Sequence, residues 1–182
     1  PAHTDVAGND VPADEIFLFG FSRGAFAARS LAGLIGSAGL LKRKSLGHLD
    51  RAWTYYRDFR NRSPQDFVQR NARKAIETHA EMTINFLGVW DTVGALGIPV
   101  GFLGELSGLV HGFHDTSPSR IIKHGAQALA IDEYRDEFVP TLWTGEAPAG
   151  STIEQVWFAG CHSDVGGGYF DRDLADIPLL WM

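Results

Sequence analysis

With 182 residues, 45% hydrophobic and 21% charged, the chain can bury a real core and is read as one domain over residues 1–182, or a large part of one. A formal net charge of −6 argues against nucleic acid as a partner, since phosphate neutralisation needs clustered Lys and Arg. A single cysteine, Cys161, permits no internal disulfide, no apolar run reaches the roughly 20 residues of a membrane span, and the N-terminus lacks a signal peptide's basic start and apolar core, so the expected location is cytoplasmic.

Residues 1–14 are small and polar with two prolines and read as a loop. Residues 15–19, a short apolar run, read as a buried strand, followed at once by Gly20-Phe21-Ser22-Arg23-Gly24. A helical pattern then places Phe26, Leu31, Leu34, Ile35 and Ala38 on one face, with Gly39 as its stop. Leu49, Trp53 and Tyr56 predict an amphipathic helix over 46–60. Ser63-Pro64-Gln65-Asp66 is a capping-box-like start for another that runs towards His79, a core-edge histidine. Residues 83–90 form a second buried strand ending in Asp91-Thr92. Residues 94–115 are a long Gly-rich apolar loop, of which 94–113 suits an acyl-chain site or a lid. A helix is expected from 117 to about 130, an edge strand interrupted by Pro140 at 138–143, and a third strand at 153–158. Residues 173–182 look like the start of a helix. Strands alternating with helices give the α/β class, a mostly parallel sheet with helices on both faces.

The chemistry centres on the G-x-S-x-G of residues 20–24. Strand, G-x-S-x-G, helix is the context of a nucleophile elbow. The serine sits on a turn too tight for side chains at the flanking positions, so both are glycine. The turn lifts the Ser22 hydroxyl clear of the sheet and points the positive helix N-terminus at the reaction centre. The backbone N–H of Arg23 is there a donor for a developing oxyanion.

In open α/β sheets, ligands bind beyond the carboxyl ends of the strands. Three such ends carry reactive groups in the order Ser22, Asp91, His162, the nucleophile–acid–base order of an α/β-hydrolase. A serine needs a base to take its proton, histidine titrates near neutrality, and a buried carboxylate fixes the imidazole tautomer. The acid stays open between Asp91 and Asp132, with Asp164 third. Cys161 reads as a buried structural thiol. Gly166-Gly167-Gly168 reads as a turn, with a phosphate cradle as the other option. Two further functions compete: a metal-dependent hydrolase using Asp91, His114, Asp115, His162 and Asp164, and a non-catalytic, hydrolase-like binding module.

The stretches GFSRGAFAAR, FLGVWDTVGALG, AQALAIDEYRDEF and VWFAGCHSDVGGGY together resemble the uncharacterised α/β-hydrolase domain family, which includes many fungal proteins and the phospholipase effectors of bacterial type VI secretion. The resemblance runs from about residue 14 to 182. It implies an α/β-hydrolase fold without a cofactor and hydrolysis of a carboxylic ester, such as that of a phospholipid, with contact to a membrane surface. Carried over, the SRG serine is Ser22, the HSDVGG histidine is His162, and the acid is Asp91 or Asp132. Family members carry a first strand and an Asp-Gly-Thr motif well before the elbow. Here only residues 1–14 precede it, so the upstream strands are expected to be missing and the open sheet edge to promote self-association.

Overall fold

The computed structural model of the protein describes residues 3–4, 10–11, 14–58, 63–79, 82–94 and 116–182. Two short strands, β1 (His3–Thr4) and β2 (Asp10–Val11), pair antiparallel where the sequence suggested only loop. Four others, β3 (Phe17–Phe21), β4 (Ile84–Trp90), β5 (Ile122–Ala130) and β6 (Thr152–Phe158), form one parallel sheet in the order β3-β4-β5-β6. Phe21 pairs with Trp90, Trp90 with Ala128, and Ala130 with Phe158, so the carboxyl ends of all four strands reach one rim of the sheet.

The stretch expected as a helix up to residue 130 is β5, a central strand. Its alanines, Lys123, Gln127 and Leu129 favour a helix locally, but both faces of the strand are covered, and tertiary context overrides propensity. The edge strand expected at 138–143 reduces to a single bridge between Val93 and Pro140. The loop assigned to 94–115 lies, from residue 95 on, outside the described residues.

Helices cover both faces. Helix α1 (Arg23–Ala38) packs Ala25, Ala28 and Ala32 onto Leu87, Val89 and Ile122. The sequence pattern had turned the larger Leu31 inward; it is 43% exposed. Small residues win because a methyl-wide stripe lets the helix backbone approach the sheet closely and fill the layer at native density. Helix α2 (Leu49–Arg57) and helix α3 (Pro64–Arg70) stack on the outer side of α1, joining Ala52, Tyr55 and Phe67 to Leu34 and Ala38. On α2 the buried pair is Ala52 and Tyr55, not Leu49 and Trp53. The start of α3 follows its sequence: Pro64 opens it and the Ser63 Oγ accepts the Asp66 N–H at 3.1 Å.

On the opposite face lie α4 (His162–Gly166) and α5 (Asp173–Trp181), where Val165 packs with Ala128 and Ala130 beside Trp90, Phe158 and Trp181. Leu87, wholly buried between α1 and the sheet, is a position where truncation to alanine costs about 2–5 kcal/mol. The strand that carries the elbow stands at the edge of the described sheet, with Phe17 and Phe19 about half exposed.

Candidate functional site

Ser22 occupies the one-residue turn between β3 and α1, with φ 57° and ψ −122°. A non-glycine residue in that region carries strain of order 1–3 kcal/mol and persists only where its surroundings hold it. Here the Ser22 N–H donates to the Trp90 carbonyl at 3.0 Å, locking the turn to the end of β4. The Ser22 side chain makes no capping bond to α1. Gly20 is required by contact: a Cβ there would stand 2.3 Å from the Gly24 carbonyl oxygen. Gly24 differs from the expectation. A Cβ on it would meet nothing within 4 Å among the described residues, so no clash with them requires the second glycine.

Asp91 follows β4, also at positive φ (41°), and is fully buried. Its Oδ1 accepts the Ala130 N–H at 3.0 Å and its Oδ2 lies 2.6 Å from His162 Nδ1. A buried carboxylate is tolerable only when its oxygens are bonded, and both are. With an ionised carboxylate, which can only accept, this bond places its proton on Nδ1, and the Nε2 of a neutral ring is then an acceptor. His162, 4% exposed, begins α4. Its ring lies between Phe21, at 4.5 Å, and the edge of Phe138, at 4.7 Å and 69°. Gly166 makes that seat possible, since a Cβ there would fall 2.0 Å from the Phe21 ring.

The other carboxylates considered from sequence are engaged elsewhere. Asp132 Oδ2 accepts the Gly160 N–H at 2.8 Å, tying the ends of β5 and β6 together. Asp164 Oδ2 accepts the Cys161 N–H at 2.9 Å as the partner in a capping box for α4. Cys161 itself is partly exposed, not buried, its sulfur capping α4 and lying 3.7 Å from the Tyr169 hydroxyl. His114 and Asp115, invoked for a metal site, lie outside the described residues. Among the described residues no three His, Cys, Asp or Glu side chains gather as a metal site would require. No helix among them is long and apolar enough to cross a membrane.

Two groups escaped the sequence reading. Arg29, inside α1 and 5% exposed, donates to Gln127 Oε1 at 3.1 Å and to the Thr141 and Leu142 carbonyls, and lies over the Trp143 ring. Burial pushes its guanidinium down to about 9. Thr92, next to Asp91, donates to the same Gln127 oxygen at 2.7 Å, so a buried polar network lies directly beside the Asp91 turn. Glu133 accepts the His162 backbone N–H at 3.3 Å. The Arg135 guanidinium beside it holds its carboxyl down to about 2. The DEYRDEF run carries a signal for this pair, since an acid and an arginine two apart can grip each other across a turn.

The model of the type VI secretion (T6SS) phospholipase effector Tle1-like catalytic domain matches residues 3–182. The chain belongs to this family. A fungal relative, Uncharacterized protein YEL023C of Saccharomyces cerevisiae, is 32% identical over 139 residues, covering 73% of this chain and 19% of that protein. A solved structure, of the Tle1 effector bound to the VgrG spike of the type 6 secretion system, is similar over 85% of this chain and 24% of the other, with 25% identity and a TM-score of 0.48. The chain thus spans a quarter or less of the length of these relatives.

Proposed function

We propose that this domain is the catalytic unit of a serine hydrolase that cleaves a carboxylic ester of a phospholipid. The observation that carries the reading is the buried 2.6 Å bond between His162 Nδ1 and Asp91 at the rim where the strained Ser22 turn emerges. Phe21, the residue before Ser22, packs against the His162 ring at a 35° tilt, which supports a shared site for serine and imidazole. The phospholipid is supported by the family alone.

In this mechanism His162 Nε2 takes the Ser22 Oγ proton as the oxygen attacks the ester carbonyl. Asp91 stabilises the imidazolium that forms. The Arg23 N–H, in the first turn of α1 and so without an intrahelical acceptor, donates to the oxyanion. Collapse returns the proton to the leaving alcohol and leaves an acyl-serine. Water, deprotonated by the same imidazole, then releases the fatty acid. Tyr134 and Phe170, strongly exposed on the connections that follow β5 and α4, suit contact with a lipid surface.

The test is release of fatty acid from phospholipid vesicles by the full-length protein and its Ser22→Ala variant. Loss of one triad member costs on the order of 10⁴-fold or more in rate. Turnover within tenfold of the parent would end the serine reading.

A further inference from the structure

His162 is held at two places besides Nδ1. At its backbone, the N–H donates to Glu133 Oε2. The Glu133 side chain is 4% exposed and is gripped by Arg135, whose Nε donates to Oε1 at 2.8 Å and whose Nη2 donates to Oε2 at 2.6 Å. At its side chain, the imidazole meets the edge of Phe138. The same Arg135 links the two holds, because its guanidinium carbon lies 3.9 Å from the centre of the Phe138 ring. One short segment, residues 133–138, thereby grips both the backbone and the ring of the histidine.

We infer that Glu133 and Arg135 are positioning residues for His162. The inference rests on the reading of His162 as the general base. A single hydrogen bond from His162 Nδ1 to Asp91 fixes one ring atom and leaves the imidazole free to swing about it. A general base must present its lone pair within hydrogen-bond reach of the hydroxyl it deprotonates, and a misplacement of about 1 Å costs on the order of 100-fold in rate. Phe21 and Phe138 define the plane of the ring. Glu133 and Arg135 fix where that plane sits.

The experiment compares the full-length protein with Glu133→Gln, Arg135→Met, their double variant and Ser22→Ala. It measures kcat and KM on p-nitrophenyl butyrate, melting temperature, and the low-field proton resonance of the imidazole Nδ1–H. Each single variant is expected to lower kcat about tenfold to hundredfold with KM within about threefold. The Nδ1 resonance should persist, because Asp91 still accepts it. The double variant should lose no more than the worse single one, since residues that act as a unit are non-additive. Arg135 is half exposed, so Arg135→Met folds even where Glu133→Gln does not. A kcat within twofold of the parent in that variant overturns the inference, as do additive losses that only track melting temperature. Ser22→Ala separates the two claims. If it is inactive while the Glu133 and Arg135 variants are unaffected, only the positioning role falls; if it retains turnover, the reading of the site falls with it.

Discussion

Asp91 and His162 are 71 residues apart in the chain and joined by a 2.6 Å bond in a fully buried setting. The parallel sheet produces this meeting: β4 ends at Trp90 and β6 at Phe158, each one strand from β5, so the residues just beyond them converge over the end of β5. The Asp91 backbone is bonded there too, its N–H donating to the Ala128 carbonyl at 2.7 Å.

Replacement of Asp91 by asparagine should lower kcat by about 10⁴, because the amide can favour the wrong imidazole tautomer. Asp132→Asn should act mainly on stability, by weakening the bond to the Gly160 N–H. Parallel kcat and urea-unfolding measurements distinguish the two. A larger kcat loss for Asp132→Asn would exchange their roles.

The Ser22 turn stores strain that glycine does not feel. Ser22→Gly should be more stable than Ser22→Ala by about 1–3 kcal/mol while being equally inactive. Equal melting temperatures for the two variants would show that the turn is relaxed.

Arg29 should matter for stability and not as a group that touches substrate. Arg29→Met leaves the Gln127 amide oxygen and the Thr141 carbonyl short of a buried donor, at a cost of about 2–4 kcal/mol. Chemical denaturation of the variant checks this, and a loss below about 0.5 kcal/mol would contradict it.

The depressed Glu133 carboxyl implies a defined acid sensitivity. A group whose folded value lies below its unfolded one stabilises the fold above the unfolded value, and that contribution fades as pH falls through the folded value. For Glu133 the window runs from about 4.5 down to about 2. The stability difference between parent and Glu133→Gln should therefore be constant near neutrality and shrink across this window. A difference that grows on acidification would reverse the sign.

Ser22, Asp91 and His162 were legible as candidates because each follows a strand whose apolar run is plain in the sequence, and the order of such ends along the chain is read directly. The choice among Asp91, Asp132 and Asp164 was not legible, since it depends on which carboxylate the sheet register brings to Nδ1. β5 was misread because IKHGAQALA carries helix formers, and only burial on both faces makes it a strand. On α1 Leu34, Ile35 and Ala38 are buried as the pattern expects, while Leu31 is exposed and Ala25, Ala28 and Ala32 take the sheet-facing stripe, because periodicity weights large residues whereas close helix–sheet packing selects small ones. Glu133 and Arg135 act through a backbone N–H, a contact that leaves no periodic trace.

The central claim is that Ser22 is the nucleophile and His162 its base. Peptide mass spectrometry of the full-length protein after treatment with a fluorophosphonate tests it most directly. The phosphonyl adduct is expected on the peptide bearing Ser22, with no such adduct in Ser22→Ala and labelling slowed by orders of magnitude in His162→Ala. An unmodified Ser22 in protein that still hydrolyses esters, or labelling as fast without His162 as with it, would contradict the account.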